Sequence, residues 1–414
     1  MAWPTPWKGY GPKVIFHITA VQHRRIGPNA IALHSAPVTV PLMTIQSALA
    51  AWPYPRWIAH RGAGTLAPEN TLANGAPIEN TRLQVDCFDT TYAAAVAAQA
   101  LGYISAGTLK GIRTVFSQSN SPSLGVMVGN VDLVGGETYA TGLLSCIASN
   151  PNFYWVACNS RASANIVLVA EQVEECGDKT AADLAGVTFK QMVFFAQSAD
   201  TTLLTGAYPA GLADLEGLER TSLSFHPTAT EWLDAAHANR MSVDLSLVAP
   251  PWTFYDVANV ASYPDGTITN AQREAAQTIY VDMMLLFGSS TYNVGLGRSQ
   301  AGRQMSDQVA VDYLAAAMQL RVSDTMIALA NKNIKVPMTP VGQQIIVGAI
   351  RSVFEQQESA GMLESTTETG EAASVITPLA ITDADKVAKQ LRFDSSVLLS
   401  QTAEKIILNI YSDV

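Results

Sequence analysis

"FYWVAC" (Phe153–Cys158) is the stretch on which the fold turns: a short apolar and aromatic run, followed by a helical stretch around Ile166–Glu175 and then a second such run, "QMVFFAQ" (Gln191–Gln197). Upstream, "LGVMV" (Leu124–Val128) is another strand candidate, and Glu137–Ser149 sets Ala140, Leu143, Leu144 and Ile147 on one helical face. Downstream, a helix near Leu212–Glu219 leads to "SLSFH" (Ser222–His226), and a further helix runs through Trp232–Ala238. Repeated strand–helix–strand units predict a mostly parallel sheet flanked by helices, because a parallel return needs a crossover of about a dozen residues or more. The middle of the chain is therefore expected to be α/β.

After it, Pro250–Asp265 reads as a loop containing the turn "YPDG", and two long helices are expected to dominate the remainder of the chain. The first spans about Asp307–Asn331, with Val311, Leu314, Met318, Val322, Met326 and Leu329 as a core-facing stripe. The second has Thr339 as N-cap, Pro340 at its first position and Gly361 just past its end, with the stripe Val341, Ile345, Ala349, Ile350 and Val353. The polar loop "ESTTETGEAAS" comes next, and the chain closes on "EKIILNIYSDV", a β-type run whose Ile406, Leu408 and Ile410 need a sheet to join. Up to about Leu83 the sequence is rich in Pro, Trp and Gly and lacks periodicity. The expected organisation is an irregular N-terminal arm over 1–83, an α/β domain over 84–250, a helical part over 251–404 and a C-terminal β arm over 405–414.

Composition narrows the function. With 414 residues and 48% apolar content the chain has the material for more than one core. Charged residues make up 14%, against roughly 25% in ordinary soluble domains, so much of the surface is neutral and suited to being covered by neighbours. A net charge of −10 without clustered Lys and Arg argues against direct nucleic-acid binding. Cys87, Cys146, Cys158 and Cys176 are too widely spaced for a metal knuckle or a disulfide framework and read as reduced, mostly buried thiols. The start, "MAWPTPWKGYGPK", is not a secretory signal, and "TYAAAVAAQALGYISAG" is too short to span a bilayer, so no membrane insertion is expected and assembly in the cytoplasm is.

Chemical motifs are sparse. "GLGRSQAG" (Gly295–Gly302) lacks the dinucleotide-binding glycine spacing, and neither His226 nor His237 has a partner at ligand spacing. One stretch stands apart: "RWIAHRGAGTLAPENTLANG" (Arg56–Gly75) resembles the opening signature of the glycerophosphodiester phosphodiesterases. That resemblance implies an acid/base role for His60, a phosphate contact for Arg61 in the His60-Arg61-Gly62 run, and a metal-ligand role for Glu69. The family's next carboxylate motif finds only "LQVDCFDTT", with Gln84 where a glutamate belongs, and no histidine occurs between His60 and His226. A metal-dependent phosphodiesterase needs several carboxylates and a second proton carrier. No catalytic, cofactor-binding or metal-binding residue and no cofactor is therefore expected, and the enzyme is kept as the alternative.

From about residue 84 to the end, the chain resembles the tail sheath proteins of contractile-tailed bacteriophages. Four stretches carry the resemblance: "FSQSNSPSLGVMVG", "ETYATGLLSCIASNPNFYWVACNSR", "YNVGLGRSQAGRQMSDQVAVDYLAAAMQLRVSDTMIAL" and "NKNIKVPMTPVGQQIIVGAIRSVFEQQESAGML". One departure is Asp312-Tyr313, where the family commonly has Asp-Trp. The resemblance implies a non-enzymatic structural protein of the virion tail, polymerising as stacked hexameric rings around a tail tube and contracting to drive it through the host envelope for genome ejection. Its implied partners are copies of itself, linked by strand exchange through terminal arms, together with the tube, baseplate and tail terminator proteins.

Overall fold

The computed structural model describes residues 14–18, 84–85, 96, 99–100, 105–118, 126–131, 136–149, 153–240, 255–262, 267–287, 290–293, 297–367, 370–389 and 391–400. His60, Arg61, Gly62 and Glu69, Cys87, and the terminal strand expected at 405–414 lie outside them.

The expected parallel sheet is present. Strands β1 (Val14–Ile18), β3 (Val126–Asn130), β4 (Trp155–Cys158), β5 (Val193–Ser198), β6 (Thr221–Phe225) and β8 (Val281–Phe287) run parallel in the order β3-β1-β4-β5-β6-β8. Antiparallel strands extend both edges: β2 (Gln84–Val85) beside β3, then β9 (Ser290–Asn293) and β7 (Tyr255–Asp256) beyond β8. β1 falls in the stretch expected to be irregular, yet it is a central strand, register-paired Val14 to Val126 on one side and Val14 to Trp155 on the other. β8 and the helix before it likewise continue the sheet past residue 250.

Nine α-helices are described: α1 (Ala106–Phe116), α2 (Tyr139–Ser149), α3 (Ser163–Gly177), α4 (Lys179–Ala185), α5 (Leu233–Arg240), α6 (Asn270–Thr278), α7 (Met305–Ala330), α8 (Pro340–Ser359) and α9 (Asp383–Ala388). They divide between two cores because successive strand residues point to opposite faces. Trp155, Ala157, Val193 and Phe195 face a core closed by α1, α5, α7 and α8, whereas Val156, Cys158, Phe194 and Ala196 face one closed by α2, α3 and α6. Cys146, Cys158 and Cys176 are buried thiols, as expected.

Local sequence explains most helix ends. Ser105 caps α1 through its Oγ, and Thr269 and Gln272 form a reciprocal capping box on α6. α8 begins with Pro340 and ends in a left-handed Gly361 at φ 79°, with Gly361 N–H on Glu358 O and Met362 N–H on Gln357 O. That pairing satisfies the last carbonyls in the manner the glycine predicts.

Two expectations need correction. The helix expected near Leu212–Glu219 is a 3₁₀ turn, Ala210–Leu215. Leu212 and Leu215, both fully buried, are three residues apart and eclipse one another at three residues per turn. The stripes of the long helices are also partly displaced. Leu314 is buried and Met318 and Val322 are half-buried, but Val311 and Met326 are exposed. On α8, Ala349, Ile350 and Val353 are core residues while Val341 is 68% exposed.

Candidate functional site

An open parallel sheet offers its ligand crevice at the carboxyl ends of the strands, where chain order reverses direction. Here the chain passes from β1 to β3 on one side and then to β4 on the other, which places the switch point beside β4. That end is filled by the protein itself. Arg161, just after β4, reaches α5: Nη1 is 2.7 Å from Asp234 Oδ2 and Nη2 is 3.1 Å from Asp234 Oδ1. Its other N–H groups donate to the carbonyls of Cys158, Ala229 and Glu231 at 2.9, 3.2 and 3.0 Å. A guanidinium has five N–H donors, so Arg161 keeps none for a ligand. The ring of Trp232 covers it at 5.0 Å.

The same closure recurs alongside. Gln197, at the end of β5, donates to Glu231 O at 2.9 Å and accepts Leu233 N–H at 2.7 Å. Lys110 of α1 pairs with Glu231 at 2.6 Å, and the other oxygen of Glu231 accepts Ala261 N–H at 3.2 Å. Against the upward push of burial, the hydrogen bonds from Lys110 and Ala261 hold Glu231 below the ordinary carboxylate range. Burial pushes Asp234 upward despite its fork with Arg161.

Both histidines of this region serve the scaffold. His226 accepts Thr228 N–H on Nδ1 at 3.0 Å, which leaves Nε2 to donate to Ala261 O at 2.8 Å. His237 lies 3.3 Å from Ser224 Oγ, but burial pulls it down to about 3. Ser224 and His237 are at most 1% exposed, so this hydroxyl–imidazole pair meets no substrate. No cluster of three potential metal ligands occurs among the described residues.

A second charged cluster closes the amino ends of the strands. Arg220, before β6, forks onto Asp312 of α7 at 2.6 and 3.0 Å; Tyr154, before β4, donates to Asp312 at 2.7 Å; and Gln308 adds a bond at 3.1 Å. Arg220 also donates to Met192 O, before β5, at 3.3 Å. One carboxylate on α7 thus ties together the starts of three strands. Burial, reinforced by Asp312, raises the Tyr154 phenol well above its ordinary range, so it stays a donor. The sequence marked Asp312-Tyr313 only as a departure from a family pattern; the Arg220 partnership had no local signal, because the two residues are 92 apart.

The open features lie elsewhere. In the second half of α7 and the turn after it, Leu320, Met326, Ile327 and Ile334 are exposed, as is Val341 at the start of α8. Strands β10 (Val375–Pro378) and β11 (Phe393–Ser396) form a separate two-stranded antiparallel sheet, solvent-facing on much of both strands. Ile376 and Phe393 rest against the core, and among the described residues neither strand has a second ladder partner. No described helix is long and apolar enough to cross a membrane.

No family model and no curated protein matches the chain. Solved structures do. The chain is similar to one in the cryo-EM structure of the anti-feeding prophage (AFP) helical sheath in the contracted state, with a TM-score of 0.54 and 12% identity over 80% of this chain and 88% of that one. A chain of the AFP baseplate gives 0.54 and 12%, covering 75% and 82%. The contracted PVC sheath complex of an extracellular contractile injection system gives 0.52 and 13%, covering 81% and 88%. The fold is shared with contractile sheath chains. At such identities the likeness is one of fold, and it gives the phosphodiesterase reading no support.

Proposed function

We propose that this chain is the structural, non-enzymatic subunit of a contractile tail sheath, assembling with its own copies around a tail tube and shortening to drive that tube through an envelope. The observation that carries the reading is the fold likeness to contracted sheath chains over about four fifths of the sequence. Three features support it physically. The crevice where an α/β enzyme would hold a ligand is occupied by Arg161, Asp234 and Glu231. Apolar side chains are left on α7 and around the β10–β11 pair, where burial requires a neighbour. The edges of β10–β11 that no described strand pairs suit added strands, and main-chain bonds across such an edge would keep copies linked while whole subunits rotate.

In this reading stacked hexameric rings carry the load, the terminal arms exchange strands between copies, and tube, baseplate and tail terminator proteins are the partners. The particle is a phage tail, put together in the host cytoplasm, with genome ejection as the outcome. Deleting Lys405–Val414 tests the arm: the truncated chain should stay folded by circular dichroism yet form no filaments in electron micrographs. Filaments of unchanged length from the truncation would contradict it.

A further inference from the structure

The two helical layers carry opposite charge where they meet solvent. On one face of the sheet, α3 buries Val169 and Val173, and the 3₁₀ turn packed on it buries Leu212 and Leu215. The stretch 171–220, which includes the second half of α3, α4 and that turn, holds nine carboxylates against Lys179, Lys190 and Arg220, a net −6 in a chain of net −10. Glu171, Asp178, Asp183, Asp214 and Glu216 are exposed, whereas Arg220 is turned inward onto Asp312. Two large apolar side chains are exposed in the same stretch. They are Leu184 of α4, at 85%, and Phe189, placed beside the end of α3 by the bond from Lys190 N–H to Cys176 O.

The layer on the other face is the reverse. There α7 and α8 close the core, and residues 318–341, from the outer half of α7 to the start of α8, hold Arg321, Lys332 and Lys335 against Asp324 alone. Lys332, Ile334 and Lys335 are exposed between the two helices, and Met326 and Ile327 are exposed at the end of α7. Each face therefore presents apolar side chains among charges of one sign, the composition of a binding surface with a polar rim. Lying on opposite faces of one sheet, the two patches cannot cover each other within a subunit.

We propose that the cationic α7–α8 tip of one copy docks on the acidic α3–α4 face of the next, setting Met326, Ile327 and Ile334 against Leu184 and Phe189 inside a rim of opposite charges. A second copy is the occupant because the chain carries both complements. A net charge of −10 makes copies repel in most orientations. Segregation of the charge leaves this one attractive. Two unlike patches make a head-to-tail contact, which repeats from copy to copy and closes a ring or winds a helix. The contact rests on the sheath reading for its place in a lattice, and it names the surfaces that meet there.

The test is charge exchange in the full chain, followed by sedimentation velocity and negative-stain microscopy, with circular dichroism to confirm the fold. The parent should associate as concentration rises. Lys332→Glu with Lys335→Glu should weaken association at least about tenfold, and so should Glu171→Lys with Asp183→Lys, because each change opposes like charges. Mixing the two double variants should restore association, since the reversed tip of one fits the reversed face of the other, and a chain carrying all four substitutions should associate alone. A mixture that stays dissociated would overturn the contact and give the tip to some other partner. Variants that associate like the parent, or a parent that remains a single subunit at every concentration, would overturn it too. Filaments that persist through every variant would do so while leaving the sheath reading intact, whereas rescue without rings or tubes would support the contact and count against that reading.

Discussion

Residues 305–317 of α7 bury Met305, Val309, Ala310, Tyr313, Leu314 and Ala317 and anchor Asp312, whereas residues 318–334 leave Leu320, Met326, Ile327 and Ile334 in solvent. Each stretch carries nine apolar residues. What separates them is the partner. The first lies against the sheet, while in the second Met318 and Val322 are only half-buried on that core and α8 runs along one side, joined by Arg321 Nε to Ser352 Oγ at 3.0 Å. An apolar stripe measures demand for burial, and it is silent on whether the chain or a neighbour meets that demand.

Breaking the anchored half should have the largest effect. Asp312→Ala leaves Arg220 buried without its carboxylate and should cost about 3–5 kcal/mol, measured by urea unfolding. Leu314 is 2% exposed, and Leu314→Ala should cost about 2–4 kcal/mol by loss of contact and creation of a cavity. The other half should respond in the opposite sense. Ile327 is 58% exposed, so Ile327→Glu should change subunit stability by less than about 0.5 kcal/mol while abolishing or shortening filaments in micrographs. Equal unfolding costs at Leu314 and Ile327 would erase the distinction between the two halves.

This contrast also marks how far the sequence could be read. The strands around Trp155 and Val193 were legible as short apolar and aromatic runs and the one around Leu223 by its alternation of Leu223 and Phe225 with serines, and the ends of α8 because Pro340 and Gly361 each have one favourable place in a helix. β1 was not legible, since Val14–Ile18 is five residues among prolines and glycines and its pairing partners lie more than a hundred residues away. α6 had a readable signal, the Thr269–Gln272 box, inside the part expected to be helical over 251–404 but between the loop and the first long helix read there. The stripe on α7 was right at Leu314, Met318 and Val322, which face α8 and the sheet, and wrong at Val311 and Met326.

The candidate site was less legible than the fold. The gaps in the phosphodiesterase pattern, Gln84 for a glutamate and no histidine between His60 and His226, could be read locally, residue type by residue type. The closures at the two ends of the sheet could not, because Arg161 finds Asp234 and Arg220 finds Asp312 only when the sheet brings distant segments together. Such long-range pairs leave no spacing in the sequence.

Negative-stain electron microscopy of the purified full chain tests the sheath reading most directly. Wide rings or tubes with a cogwheel outline, and an open lumen that would admit an inner tube, are expected. Thin smooth tubes, or single subunits at every concentration, would contradict it.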